Sequence, residues 1–247
     1  MRVIRILILV LSVVSGLFSQ NDVLINAKKE YSKGNFAKSI ELYDSLVESK
    51  QYSPELYYNL GNSYFKQGEF GKAILNYEKA LKYKPNDNDI KHNIFLAKRK
   101  IDSEIVELPD FFLNRWWIGV TNLFSLGIWT ALSFLSALLL VIVFGFYWFK
   151  DYSFSGWFSL YVFVLILFLT VSIFASFRKE KIIYKSDKCI LIKSDSLFNA
   201  PDSRSELLYK LEPGEKFQLI DSINNWYKVK LLNKETGWID KSNCEKI

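Results

Sequence analysis

Two stretches decide how this chain is built: Gly127–Phe149 (GIWTALSFLSALLLVIVFGFYWF) and Gly156–Phe177 (GWFSLYVFVLILFLTVSIFASF). Neither contains Asp, Glu, Lys, Arg or Pro, and only Lys150–Ser155 separates them. At about 1.5 Å per residue each run makes a helix of about 33 Å, matching a hydrocarbon core of about 30 Å. A core helix of a soluble protein would show a polar stripe, and these runs show none. Trp129, Trp148 and Trp157 fall towards the run ends, where indoles settle at headgroup level. The pattern predicts transmembrane helices over 127–149 and 156–177, joined as a hairpin. A hairpin returns the chain to the side it left, so the polar segments flanking it share one compartment.

The charge fits that division. The net charge is +6, yet Asn21–Asp110 holds 14 basic and 14 acidic residues, and Arg178–Ile247 holds 14 and 11. The remaining +3 comes from Arg2, Arg5, Arg115 and Lys150 against Asp151, beside apolar segments. That places basic residues at membrane flanks and gives no stripe of the kind nucleic acid requires. At the start, Arg2 and Arg5 precede an apolar core, Ile6–Phe18, then Ser19 and a polar Gln20-Asn21-Asp22. This is the layout of a secretory signal over residues 1–20. Leu17-Phe18-Ser19 fits the small-x-small cleavage rule poorly, so an uncleaved anchor is the alternative; either form sends Asn21 onward across the membrane. Lys and Arg beside the hairpin argue the opposite orientation by the positive-inside rule. An early export signal outranks that rule, and the expectation is an inner-membrane protein with its soluble domains on the periplasmic side.

Between residues 21 and 108 a 34-residue offset repeats. Ala27 recurs as Gly61, Tyr31 as Phe65, Gly34 as Gly68, Phe36 as Phe70, Ser39 as Ala73 and Tyr43 as Tyr77. The second copy, with Tyr57, Leu60, Gly61, Tyr64, Gly68, Phe70, Ala73, Tyr77, Ala80 and Pro85, resembles the tetratricopeptide repeat. Two repeats, 20–53 and 54–87, are expected, closed by a capping helix over 89–105 with Ile90, Ile94 and Ala97 on one face. The resemblance implies a concave face that holds a protein partner's peptide or helix. It would be lined by Lys28, Tyr31, Tyr58, Asn59, Asn62, Phe65, Lys66, His92, Asn93 and Leu96. The carboxylate clamp of some relatives keeps Asn59 here, but Leu24, Asp89 and Asn93 stand where it needs Lys, Lys and Arg. A general solvated face is the alternative reading of these polar positions.

Residues 109–126 carry Phe112, Trp116, Ile118–Val120 and Phe124 with polar residues at helical spacing. They read as an amphipathic helix in the membrane interface with Trp116 and Trp117 as anchors, bending near Ser125–Gly127 into the first span.

Over 185–247, short runs (Cys189–Lys193, Lys216–Ser222, Trp226–Leu232, Glu235–Ile239) are separated by turn residues, a small-barrel pattern. Leu211–Glu215, Asn225–Val229 and Thr236–Ile239 resemble the landmarks of bacterial SH3-like domains. Trp226, Tyr227 and Trp238 are candidates for an aromatic recognition surface, with core packing the alternative for both tryptophans. Cys189 and Cys244 fall in the first and last strands. They are either bonded to each other in an oxidising compartment or two separate thiols. Their spacing makes no CxxC motif, the single His92 leaves no metal cluster, and no catalytic motif or cofactor signature is found.

The expected fold is therefore a multi-domain membrane protein: a helical tetratricopeptide domain, a two-helix transmembrane hairpin and a small all-β SH3-like barrel. That order resembles the BatE-like proteins of the Bacteroides aerotolerance operon over nearly the whole chain. The resemblance implies an envelope complex with membrane-anchored von Willebrand A-domain proteins and a link to oxidative-stress tolerance. A non-catalytic scaffold is the leading reading, a receptor for peptidoglycan the second, and a redox enzyme the least favoured.

Overall fold

Ser53 and Pro54 start the second repeat in the way helix physics requires. Ser53 Oγ accepts from the Leu56 amide at 3.0 Å, and Pro54 occupies the first turn, where no amide is needed. The structure, a computed structural model, describes residues 22–50, 52–101, 103, 105, 111–150, 156–184 and 187–247; the expected signal over 1–20 lies outside them. Helix α1 covers 22–32, followed by α2 (Phe36–Glu48), α3 (Pro54–Gln67), α4 (Phe70–Tyr83) and α5 (Asn88–Lys98). Gly34 and Gly68, one repeat apart, adopt φ of 83° and 86° at the ends of α1 and α3, a left-handed turn that glycine enters without a Cβ penalty. The 34-residue period is thus present in the backbone as well as in the sequence.

Tyr43 and Tyr77, also one repeat apart, are both buried at the centre of their helix pairs, among Ala27, Leu60, Ala73, Ile74 and Ile94. Two buried hydroxyls are satisfied inside this core. Ser39 Oγ donates to the Ala27 carbonyl at 3.0 Å and lies 3.1 Å from Ser63 Oγ. Asp87 caps α5 by accepting from the Asp89 and Ile90 amides.

The C-terminal residues form one antiparallel sheet of seven strands: β1 (Lys188–Leu191), β2 (Asp195–Phe198), β3 (Leu207–Leu211), β4 (Lys216–Ile223), β5 (Trp226–Lys230), β6 (Thr236–Asp240) and β7 (Cys244–Lys246), in the order β3-β2-β6-β5-β4-β1-β7. The sequence pattern finds β1, β4, β5 and β6, and expects Cys244 in a last strand, here β7, but it misses β2 and β3. Asp195-Ser196 and Leu207-Leu208 break the apolar–polar alternation that marks a half-buried strand.

The described residues fall into two compact units. One joins the helices before Leu108 with Asp187–Ile247; the other lies within Pro109–Ser186. In the second unit α6 (Phe112–Asn122) leads to α7 (Leu126–Lys150) and α8 (Gly156–Tyr184). The break between α6 and α7 falls at 123–125, just before the expected bend. Two helices, Leu126–Trp148 and Phe158–Tyr184, are long and apolar enough to cross a membrane. They pack on each other, with Tyr147 stacked on Phe158 at 5.8 Å where the chain turns back. Trp148 is 73% exposed, but Trp129 is only 3% exposed. Trp129 turns inward because its indole N–H donates to the Thr121 carbonyl at 3.0 Å, satisfying an acceptor left open by the end of α6.

Candidate protein-binding surfaces

The helix pairs place α1, α3 and α5 side by side, and the polar residues expected on their shared face divide into two groups. Tyr58, Asn62 and Asn93 are half-buried and bonded together. Asn93 Nδ2 donates to Tyr58 Oη and to Asn62 Oδ1, each at 3.0 Å, and the Tyr77 hydroxyl donates to the same Asn62 oxygen at 2.8 Å. Burial, reinforced by neighbouring tyrosines, pushes the Tyr77 phenol well above its ordinary range, and burial beside Tyr58 raises that of Tyr31. Both phenols stay neutral, and that of Tyr77 serves as a hydrogen-bond donor. Lys28, Lys66 and His92 are instead exposed, while Asn59 and Leu96 are half-buried and Phe65 packs edge-on to Phe70 at 5.4 Å. The face therefore has a hydrogen-bonded Tyr/Asn floor and exposed Lys and His side chains at its margins.

The opposite side of the repeat is occupied. Helix α4 is buried on two faces: Tyr77, Ala73 and Ala80 point into the repeat, while Gly71, Ile74 and Glu78 meet the β domain. A Cβ on Gly71 would stand 2.7 Å from the Pro213 side chain, so only glycine permits that approach. Glu78 is 8% exposed and pairs with Lys216 at 2.6 Å; Lys79 pairs with Glu245 at 2.6 Å. Lys82 Nζ donates to the Ile247 carbonyl at 2.9 Å, and burial beside Lys79 lowers its pKa. Ile190 and Ile247 belong to the helical core itself. Beside this contact a cleft of about 470 Å³ opens between α5 and the β3–β4 turn, lined by Ile94, Phe95, Ile101, Glu215 and Leu232.

The sequence does hold one sign of this docking. Cys189-Ile190-Leu191 is buried along its whole length, so β1 has an interior on both sides: Cys189 and Leu191 face the β core, and Ile190 faces the helices. An unbroken apolar strand is the mark of two covered faces, and alternation alone does not reveal it. Cys189 and Cys244 are disulfide-bonded across β1 and β7, with Cα atoms 6.0 Å apart.

On the sheet, register separates the three aromatic candidates. Trp238 lies opposite Phe198 and Lys228, which puts Trp238, Phe198, Lys228 and Trp226 on one face. Trp226 meets Phe198 edge-on at 5.7 Å, and Lys228 Nζ lies 5.8 Å over the Trp238 ring. Tyr227 points the other way, packs on the β core and carries Lys241 and Lys246 over its ring at 5.1 and 5.6 Å. Trp238 is nearly buried, leaving Trp226 and Phe198 as the half-buried aromatics of that outer face. Phe198 joins the cluster unforeseen, because β2 carries no strand signal. Among the described residues no group of His, Cys, Asp and Glu could hold a metal ion.

Two kinds of module are recognisable by comparison. Residues 54–87 match the family model of the tetratricopeptide repeat and residues 27–68 that of the TPR repeat. Residues 194–244 match the bacterial SH3 domain. No curated protein matches the chain. The chain is multi-domain: a helical tetratricopeptide region, two long apolar helices and an antiparallel β domain of the bacterial SH3 type. Both modules are of a kind that typically binds proteins or cell wall and is non-catalytic.

Proposed function

We propose that this chain is a non-catalytic, membrane-anchored scaffold whose tetratricopeptide face holds a peptide or helix of a protein partner. One observation carries the reading. The segments before and after the two apolar helices close into one compact unit, joined by Glu78–Lys216, Lys79–Glu245 and the shared core at Ile190 and Ile247. Segments that fold against each other occupy one aqueous compartment, which fits a chain that crosses a membrane and comes back. The β domain uses α4, and the face with Lys28, Tyr58, Asn62, Lys66 and His92 is left to another molecule.

The finer reading places the protein in the inner membrane, with residues 21–108 and 185–247 on the periplasmic side and residues 1–20 as the export signal. The Cys189–Cys244 bond supports that placement, since disulfides persist in oxidising compartments. By its resemblance to BatE-like proteins, the partner class is the membrane-anchored von Willebrand A-domain protein and the process is aerotolerance. A photocrosslinker replacing exposed Lys66 in living cells should capture a membrane protein of that class. Capture of lipid alone, or of nothing, would sink the scaffold reading. Protease added to spheroplasts should trim both soluble segments, and protection of both would reverse the orientation.

A second reading rests on the Phe198–Trp226–Trp238 face with Lys228: the SH3-type domain binds peptidoglycan. Retention of the detergent-solubilised chain on purified wall, lost in Trp226→Ala, is the expected result. The intact chain is required, because a β domain alone would expose Ile190 and Ile247.

A further inference from the structure

The base of the helical hairpin holds two adjacent cations that no acidic side chain among the described residues pairs with. Arg178 donates to Thr121 Oγ1, and Lys179 Nζ donates to Asn122 Oδ1 at 2.9 Å. Both acceptors are neutral. Lys179 is 5% exposed, and Thr121 is wholly buried. None of the ion pairs among the described residues involves Arg178 or Lys179. The adjoining Glu180 is exposed and pairs with neither. A buried ammonium whose only partner is an amide oxygen is costly, since desolvation of the charge is not repaid by a neutral acceptor. The end of α6 supplies roughly half an elementary negative charge against two positive ones, so the described residues leave most of the charge unmet.

Chemistry and position together narrow what would meet it. Arg178 uses one acceptor and keeps the rest of a planar donor fork that fits two phosphate oxygens; Lys179 keeps further N–H donors. Both residues directly follow Phe177, the last residue of the apolar run, which sets them at headgroup level if α8 spans a bilayer. Helix α6, whose end provides Thr121 and Asn122, presents Phe112, Leu113 and Trp116 outward, Trp116 being 66% exposed. That is the apolar face of a helix lying in the interface.

We propose that Arg178, Lys179, Thr121 and Asn122 form a binding site for a phosphate oxyanion, supplied by the headgroup of an anionic phospholipid. The inference rests on the membrane reading of α7 and α8. It also gives a role to basic residues that run against the positive-inside rule: they are retained on this side as ligands for lipid.

The full chain is purified into nanodiscs of mixed phosphatidylglycerol and phosphatidylcholine, extracted in detergent, and its retained lipids are measured by native mass spectrometry. Phosphatidylglycerol should be retained about fivefold or more over phosphatidylcholine, as expected from about 1 kcal/mol per cation near a headgroup. Arg178→Gln with Lys179→Gln keeps donors for Thr121 and Asn122 but should reduce the ratio to near unity. Arg115→Gln with Lys181→Gln, removing the same charge from exposed positions, should leave the preference largely intact. Equal loss in both double variants, or no preference in the original chain, overturns the proposal. Displacement of the lipid by millimolar inorganic phosphate would assign the site to free phosphate and overturn the lipid source. Failure to incorporate into nanodiscs at all would instead break the membrane reading on which the site depends.

Discussion

Helices α2 and α4 occupy the same place in successive repeats, yet they live in different surroundings. Helix α2 buries Ser39, Ile40, Tyr43 and Leu46. Helix α4 buries the four equivalents, Ala73, Ile74, Tyr77 and Ala80, and adds Gly71, Leu75, Asn76 and Glu78. Ser39 and Ala73, and Tyr43 and Tyr77, are alike because both helices close a helix pair. Their outward positions differ one by one. Exposed Ala37 corresponds to buried Gly71 against Pro213, exposed Glu41 to buried Leu75, half-buried Asp44 to Glu78 paired with Lys216, and exposed Glu48 to Lys82 bonded at Ile247. A repeat keeps its fold through one side and acquires a specific contact through the other.

Releasing the β domain should have the largest effect on α4. The Cys189–Cys244 bond spans 55 residues, and a loop of that length corresponds to about 4 kcal/mol of unfolded-state constraint. Cys189→Ser with Cys244→Ser should free β7, which pairs with β1 alone. Hydrogen exchange of the detergent-solubilised chain should then show the outward amides of α4 approaching the low protection of α2; unchanged protection would mean the bond does not hold this contact.

A smaller effect is expected at the ion pair. Glu78→Ala leaves Lys216 partly buried without its partner and should cost about 2 kcal/mol in local opening, below the range for fully buried pairs because some solvent reaches Lys216. Asp44→Ala, one repeat earlier, should cost about 1 kcal/mol at most, the worth of its bond from the Tyr64 hydroxyl at 3.0 Å. Equal costs would show that Glu78 serves the helix and not the contact. Gly71→Ala should destabilise by about 1–2 kcal/mol through overpacking against Pro213, whereas Ala37→Leu should stay within about 0.5 kcal/mol. Unfolding followed by tryptophan fluorescence measures both.

The smallest effect depends on pH. Burial raises the Asp44 pKa, opposed in part by the Tyr64 hydrogen bond. A carboxyl raised in the folded state binds more protons there than when unfolded, so Asp44 costs stability at pH 7, and the cost fades as pH falls through its folded value towards the ordinary one. Asp44→Asn should therefore raise the melting temperature slightly at pH 7 and lose that advantage near pH 4. A gain that grows on acidification would contradict the assignment.

How far the sequence could be read follows from the distance over which each feature is encoded. The apolar runs, the Gly34/Gly68 pair and the Tyr43/Tyr77 pair are local or strictly periodic, and each stands in the structure where its pattern points. The docking contact is not periodic. Glu78 and Lys216 lie 138 residues apart, and each looks like an ordinary surface charge until the fold brings them together. Trp129 misleads for a related reason: an indole near a run end reads as a membrane anchor, but the nearby Thr121 carbonyl claims its N–H. On the tetratricopeptide face, the residue types were legible while their division into a bonded floor and free margins was not. Hydrogen bonds among Tyr58, Asn62, Tyr77 and Asn93 join three helices, and spacing within one helix does not encode them.

The 138 residues between Glu78 and Lys216 also set a schedule. At about 5–20 residues per second, a ribosome needs roughly 7–28 s to make the partner of Glu78 after Glu78 itself has emerged. Once Lys98 has followed, the helical repeats are complete with the outer side of α4 bare, while the hydrophobic hairpin is still being delivered to the bilayer. A chain stalled before β1 would display Gly71, Ile74 and an unpaired Glu78 to any chaperone or protease nearby. The β domain, made after the hairpin, is thus what hides the mark of an unfinished molecule.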